Sequence, residues 1–149
     1  MIKEIDINVR ENAKNVLSIQ IPSYTVEANL IGSEDIPPLK DTVETLQNCG
    51  ETFLGYFLHG ELCGTIAFKL GDSEVDIHRL IVHPNYFRQG IAQELLNFIE
   101  SNFHPETIKV ATGTKNFPAV RFYKKNNFRI VKEVIVNKQL SLTYFEKRI

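Results

Sequence analysis

The stretch "VHPNYFRQGIAQELLNFIE", residues 82–100, begins as the end of a buried strand and finishes as an amphipathic helix, with a basic, glycine-containing turn between them. The strand stops at His83-Pro84, where proline has no amide to give a ladder. Beyond the turn, Ile91, Leu95, Phe98 and Ile99 fall on one helical stripe. The turn therefore delivers the amides of Arg88, Gln89, Gly90, Ile91 and Ala92 to the first turn of a helix. N–H groups there have no helical acceptor and sit at the positive end of the helix dipole, so together they make an anion site suited to phosphate. Gly90 lets an anion approach the backbone, Ala92 keeps the helix start narrow, and Arg88 adds a fixed positive charge. The chain has no GxxxxGK[ST], and no GxGxxG follows a strand, so the anion belongs to a ligand class other than those motifs serve.

Working outward, "IKEIDI" at 2–7 alternates Ile with charge as a half-buried strand does. Residues 11–21 and 23–31 read as two helices split by Pro22, and Asp41 or Thr42 caps a further helical turn before Val43 and Leu46. Residues 52–72 form two antiparallel strands with His59-Gly60 as the tight turn, and 73–84 a third strand. After the helix at 90–103 come a strand at 107–112, a helix at 116–127 with Pro118 in its first turn, and closing strands at 128–136 and 140–147. This order predicts an α/β (α+β) fold: a mixed, mostly antiparallel central sheet of about seven strands with helices on both faces. No linker rich in Gly, Ser or Pro divides it, so residues 1–149 read as a single domain.

The chain of 149 residues is 43% hydrophobic, enough for one core. Charges at positions 3, 4 and 6 lead into no apolar run, and no stretch approaches the ~20 apolar residues of a membrane span, so a cytoplasmic protein with no membrane partner is expected. Cys49 and Cys63 have no metal-site spacing; no metal is expected. A net charge of -1 argues against nucleic acid as a partner. The charge is uneven, however. Residues 1–62 hold ten acidic and four basic side chains, whereas residues 107–132 hold seven basic ones and no acid. One region is suited to cations and the other to anions.

Residues 87–92 resemble the central [QR]xxGx[GA] motif of the GNAT superfamily of acetyl-coenzyme A-dependent N-acetyltransferases, with Phe87 where the family usually has Gln or Arg. A second block, "NFPAVRFYKKNNF" at 116–128, is similar to the family's NxxAxxFYxxxGF, read as Asn116, Ala119, Phe122, Tyr123 and Phe128. Asn127 replaces the usual Gly, and Asn is the residue other than Gly most at ease in the left-handed conformation at a helix end. The element order agrees with the family fold along the whole chain. The resemblance implies a sheet splayed between strands 4 and 5. It also implies acetyl-coenzyme A as co-substrate, with its pyrophosphate on the amides of Arg88, Gln89, Gly90, Ile91 and Ala92 and its pantetheine arm along the backbone of Leu80 and Val82. The reaction it implies is direct attack by an amine on the thioester, with no covalent enzyme intermediate.

Three residues are candidates for the proton transfers this reaction needs. Tyr123 matches the family position that donates a proton to the leaving thiolate, and Asn116 is expected to contact the cofactor while capping its helix. On the strand at 73–84, period two puts Asp76, His78 and Leu80 on one face and Ile77, Arg79 and Ile81 on the other. Either Asp76 or His78 can serve as general base. The remaining histidines read as structural: His59 lies in a turn, and His83 and His104 precede prolines. The basic segment 107–132 flanks the expected cofactor, while Glu27, Glu34, Asp35, Asp41 and Glu44 lie where this family covers its acceptor site. The expected acceptor is therefore a cationic small-molecule or peptide amine. The alternatives are a non-catalytic acyl-coenzyme A sensor and a transferase with another acyl donor. Monomer and homodimer are both compatible with the sequence.

Overall fold

A computed structural model describes residues 1–149. The strands are β1 (Ile2–Ile5), β2 (Thr52–Leu58), β3 (Glu61–Gly71), β4 (Glu74–Val82), β5 (Thr107–Gly113), β6 (Arg129–Ile135) and β7 (Ser141–Arg148). The helices are α1 (Arg10–Ile31), α2 (Val43–Gln47), α3 (Ile91–Phe103) and α4 (Phe117–Lys125). The strands form one seven-stranded sheet in the order β1-β2-β3-β4-β5-β7-β6, as the expected fold class requires. Every neighbouring pair is antiparallel except β4–β5. No helix is long and apolar enough to cross a membrane.

The helices cover both faces. Ile91, Leu95, Leu96 and Ile99 of α3 pack with Tyr123 and Phe128 against Ile66, Phe68, Ile77, Ile108 and Phe145 of the sheet. On the opposite face, Ala13 and Val16 of α1 and Val43 and Leu46 of α2 pack against Ile5, Phe53 and Ala67. Gly64 lets the start of α3 reach the sheet: a Cβ there would lie 2.8 Å from Ile91 Cγ2 and 3.0 Å from the carbonyl oxygen of Ile81. Between β2 and β3, His59 (φ 51°) and Gly60 (φ 79°) make the expected tight turn, both left-handed.

Two expectations are corrected. Pro22 does not split α1, which runs unbroken for 22 residues. Proline removes one helical hydrogen bond, but the helix buries Ala13, Val16, Ile19 and Gln20 before it and Ala28 and Ile31 after it. Packing on both sides of the residue keeps the axis continuous. Of the two candidate caps for α2, Thr42 is the one used. It forms a reciprocal capping box with Thr45, leaving the Asp41 carboxylate free for tertiary contacts.

The second correction concerns β4. Its register against β3 passes from Arg79↔Ala67 to Ile77↔Phe68, so His78 is an extra residue in a β-bulge. Strict alternation fails there. Ile77, Leu80 and Val82 all pack on the α3 face, while Arg79 turns toward α1 and His78 lies beside Asp76. Leu80 thus does not share a face with Asp76 and His78. An inserted residue shifts the side-chain phase by one, which a period of two read from sequence does not register.

Candidate active site

β4 and β5 pair only from Glu74↔Thr107 to Ile77↔Val110. Beyond that point β4 continues to Val82 and β5 to Gly113 without pairing to each other, which opens the sheet as a V. This is the expected splay between strands 4 and 5. The amide of His83 donates to the Cys63 carbonyl at 2.9 Å, so strand alternation turns the backbone groups of Ile81 toward β3 and those of Leu80 and Val82 toward the opening.

At the end of β4 the chain makes a short 3-10 turn, Pro84–Tyr86, held by His83, whose Nδ1 accepts from the Asn85 amide at 3.1 Å. Arg88 (φ 62°) and Gly90 (φ 78°) are both left-handed, and Gly90 is the N-cap of α3. With no side chain at the cap, the amides from Arg88 to Gln93 find no acceptor in the chain; the first helical bond runs from Glu94 N to Gly90 O at 3.0 Å. A Cβ on Gly90 would meet nothing within 4 Å, so the space beside the cap is open. Arg88 is exposed and paired with no carboxylate. Six adjacent free amides and a guanidinium can hold a diphosphate.

Tyr123 is 5% exposed, its ring set at 5.3–5.4 Å from those of Phe122, Phe128 and Phe145. The phenol has no hydrogen-bond partner in the chain, and burial followed by the nearby Glu27 charge pushes its pKa well above that of ordinary tyrosine. α4 is anchored by Asn116, whose Oδ1 accepts from the Ala119 amide at 3.3 Å and whose Nδ2 donates to Glu27 Oε1 at 2.7 Å. Its far end closes on Asn127 at φ 70°, the left-handed position the sequence anticipated.

His78 Nε2 lies 3.4 Å from Asp76 Oδ2, and Nδ1 lies 3.6 Å from Glu51 Oε2. The two base candidates are thus neighbours. Glu51 is a residue that sequence reading missed. It stands just before β2, in no pattern that marks it, and the fold buries it: 6% of its side chain is exposed. Arg79 is what makes that burial tolerable. Its Nε donates to Glu51 at 2.9 Å, and its Nη1 donates to Asp41 at 2.5 Å and to Gln20 at 3.1 Å. Burial opposes the charges of Arg79 and Asp41, but their hydrogen bonds outweigh it, raising the arginine pKa and holding the Asp41 carboxyl below the usual range. A cleft of about 170 Å³ is lined by Pro37, Pro38, Asp41, Glu51, His78 and Arg79.

The Acetyltransferase (GNAT) family model matches residues 14–128, from α1 through the end of α4. The chain belongs to the GNAT acetyltransferase family. The match takes in both segments that carried the resemblance, the Gly90 turn and the Asn116–Phe128 block. Among curated proteins, this GNAT domain is 38% identical over 134 residues to the UPF0157 protein YqkA of Bacillus subtilis (strain 168), covering 89% of this chain and 39% of that protein. The chain therefore spans about two-fifths of that relative's length. Among solved structures, the ribosomal-protein-S18-alanine N-acetyltransferase of Escherichia coli superposes with a TM-score of 0.79 at 12% identity, covering 100% of this chain and 93% of that one. The PaiA N-acetyltransferase of Thermoplasma acidophilum, solved with coenzyme A, superposes at 0.75 with 21% identity, covering 100% and 98%. At such identities the likeness is one of fold.

Proposed function

We propose that this GNAT domain transfers the acetyl group of acetyl-coenzyme A to a primary amine of cationic character, by direct attack and without an acyl-enzyme. The observation that carries the reading is the row of six unpaired amides from Arg88 to Gln93, opening beside a sheet that separates at Ile77 and Val110. Acetyl-coenzyme A supplies an activated thioester and a polyanionic handle. The amides of Arg88, Gln89, Gly90, Ile91 and Ala92 bind the diphosphate, with Arg88 adding charge. The backbone groups of Leu80 and Val82, turned to the opening, pair with the amide-bearing arm as a missing strand would. Asn116 fixes the start of α4 and so the line along which Tyr123 enters.

In the transfer, the amine nitrogen bonds to the thioester carbon as the carbon–sulfur bond breaks. Tyr123 donates a proton to the departing sulfur; burial keeps its phenol protonated until then. The proton lost by the amine passes to His78, with Asp76 and Glu51 close enough to stabilise the imidazolium. Assays of free thiol released from acetyl-coenzyme A over an amine panel test this. Thiol should appear only with an acceptor, more slowly in Tyr123→Phe, and with an altered pH profile in His78→Ala. Thiol release that needs no amine and is unchanged in both variants would overturn the reading.

A further inference from the structure

The acid-rich amino-terminal region holds five carboxylates near the expected acceptor side, and the fold commits three of them to cations. Asp35 pairs with Lys40, Asp41 with Arg79, and Glu44 with Arg10. Glu34 is exposed. Glu27 differs from all four. It is half-buried, and no Lys, Arg or His lies within ion-pair distance. Its Oε1 accepts from Asn116 Nδ2 at 2.7 Å and from Thr112 Oγ1 at 3.2 Å, while its Oε2 accepts nothing in the chain. Three elements, α1, β5 and α4, thus hold one carboxylate rigidly. It lies at the end of β5, where β4 has already separated. Burial and then the Glu27 charge oppose ionisation of both Tyr24 and Tyr123, so the carboxylate stands close to two neutral phenols.

A fixed, half-buried carboxylate with one oxygen free and no cation of the chain beside it can take a cationic ligand by a charge-assisted hydrogen bond. That cation is not the reacting nitrogen. Attack requires a neutral amine, and a carboxylate clamped on the ammonium form would hold its proton in place. On the acetyl-transfer reading, we propose that Glu27 binds a second positive charge of the acceptor, and that the acceptor is a diamine or polyamine. His78, on the β4 side, then serves the nitrogen that is acetylated, and Glu27, on the α1 and β5 side, serves the one that is not.

The test compares 1,4-diaminobutane with 4-amino-1-butanol, in which a neutral hydroxyl replaces the second ammonium, as acceptors for the full chain and for Glu27→Gln. The amide of Gln keeps an oxygen for Asn116 and removes the charge. The wild-type chain should prefer the diamine by roughly tenfold or more in kcat/KM, chiefly through KM, as expected for one charge-assisted contact. In Glu27→Gln the preference should fall toward unity, while calorimetry shows coenzyme A still bound. Equal use of the two amines by the wild-type chain, or an unchanged preference in the variant, overturns the assignment of Glu27. Failure of the wild-type chain to bind coenzyme A overturns the transfer reading itself, and the two failures are thereby distinguished.

Discussion

Arg79 Nε and Glu51 Oε1 lie 2.9 Å apart, with only 10% and 6% of their side chains exposed. The same guanidinium reaches Asp41 and Gln20, so one arginine ties β4 to the residue ahead of β2, to α1 and to the segment ahead of α2. It also holds the carboxylate that faces His78. The bulge at His78 is what turns Arg79 to this face.

Substitution of Arg79 by methionine should therefore be costly. The buried Glu51 and the half-buried Asp41 would lose their counter-charge, and leaving a buried charge unpaired in this way destabilises by about 3–5 kcal/mol. Urea unfolding should show the loss as a lower midpoint with little change in slope. The pH dependence should change as well. The Asp41 carboxyl is held below its unfolded value of about 3.9, so its contribution is present above that pH and lost as pH falls through the folded value. In Arg79→Met this acid-side loss should shrink, since of the groups that lower the Asp41 pKa only the Gln20 and Thr45 hydrogen bonds remain, and a wild-type acid profile in the variant would contradict the account.

Gly90→Ala should weaken coenzyme A binding while leaving the fold intact. Gly90 has φ 78°, where a residue with a Cβ is strained by roughly 1–2 kcal/mol. If the turn relaxes, the amides diverge and the dissociation constant rises by about tenfold for each 1.4 kcal/mol. Gly90→Asn, better tolerated in the left-handed region, should lose less. Calorimetric titration with coenzyme A orders the three proteins, and equal affinities would show that the turn does not bind the diphosphate.

Tyr123→Phe removes one oxygen from a ring packed among Phe122, Phe128 and Phe145. Because the phenol bonds to nothing in the chain, thermal stability should change little. Loss of a positioned proton donor should lower kcat by roughly 10²–10⁴-fold, with little effect on KM for acetyl-coenzyme A. A drop in stability that matches the drop in rate would instead assign Tyr123 to packing.

Alkaline titration followed by phenolate absorbance should find Tyr24 and Tyr123 the last tyrosines to ionise, later than Tyr56 and Tyr86, whose pKa values are raised less, and well past the ordinary value of about 10 while the chain remains folded. Burial, then Glu27, raises both Tyr24 and Tyr123. The sign follows from proton binding: the folded state keeps protons that the unfolded chain releases above that pH, so stability falls as pH rises further. The late-titrating absorbance should shrink by one residue in Tyr24→Phe and again in the double variant with Tyr123→Phe.

Much of this protein was determined by local pattern. The Gly90 turn, the stripe of α3, the Asn116 cap, the left-handed Asn127 and the His59-Gly60 hairpin are all read from neighbours a few residues apart, because backbone conformation and amphipathic period are short-range properties. Pro22 shows where such reading stops. It is a helix breaker by local chemistry, yet α1 continues because both of its halves pack on the sheet. The bulge at His78 is likewise decided by pairing with β3, and it alone separates Leu80 from the face of Asp76 and Arg79 from the face of Ile77. Glu51 joins His78 across 27 positions, and Glu27 meets Asn116 across 89. No residue near them in the chain marks these partners. Only tertiary structure assembled the buried charges, since a carboxylate leaves water only where the finished fold brings donors to it.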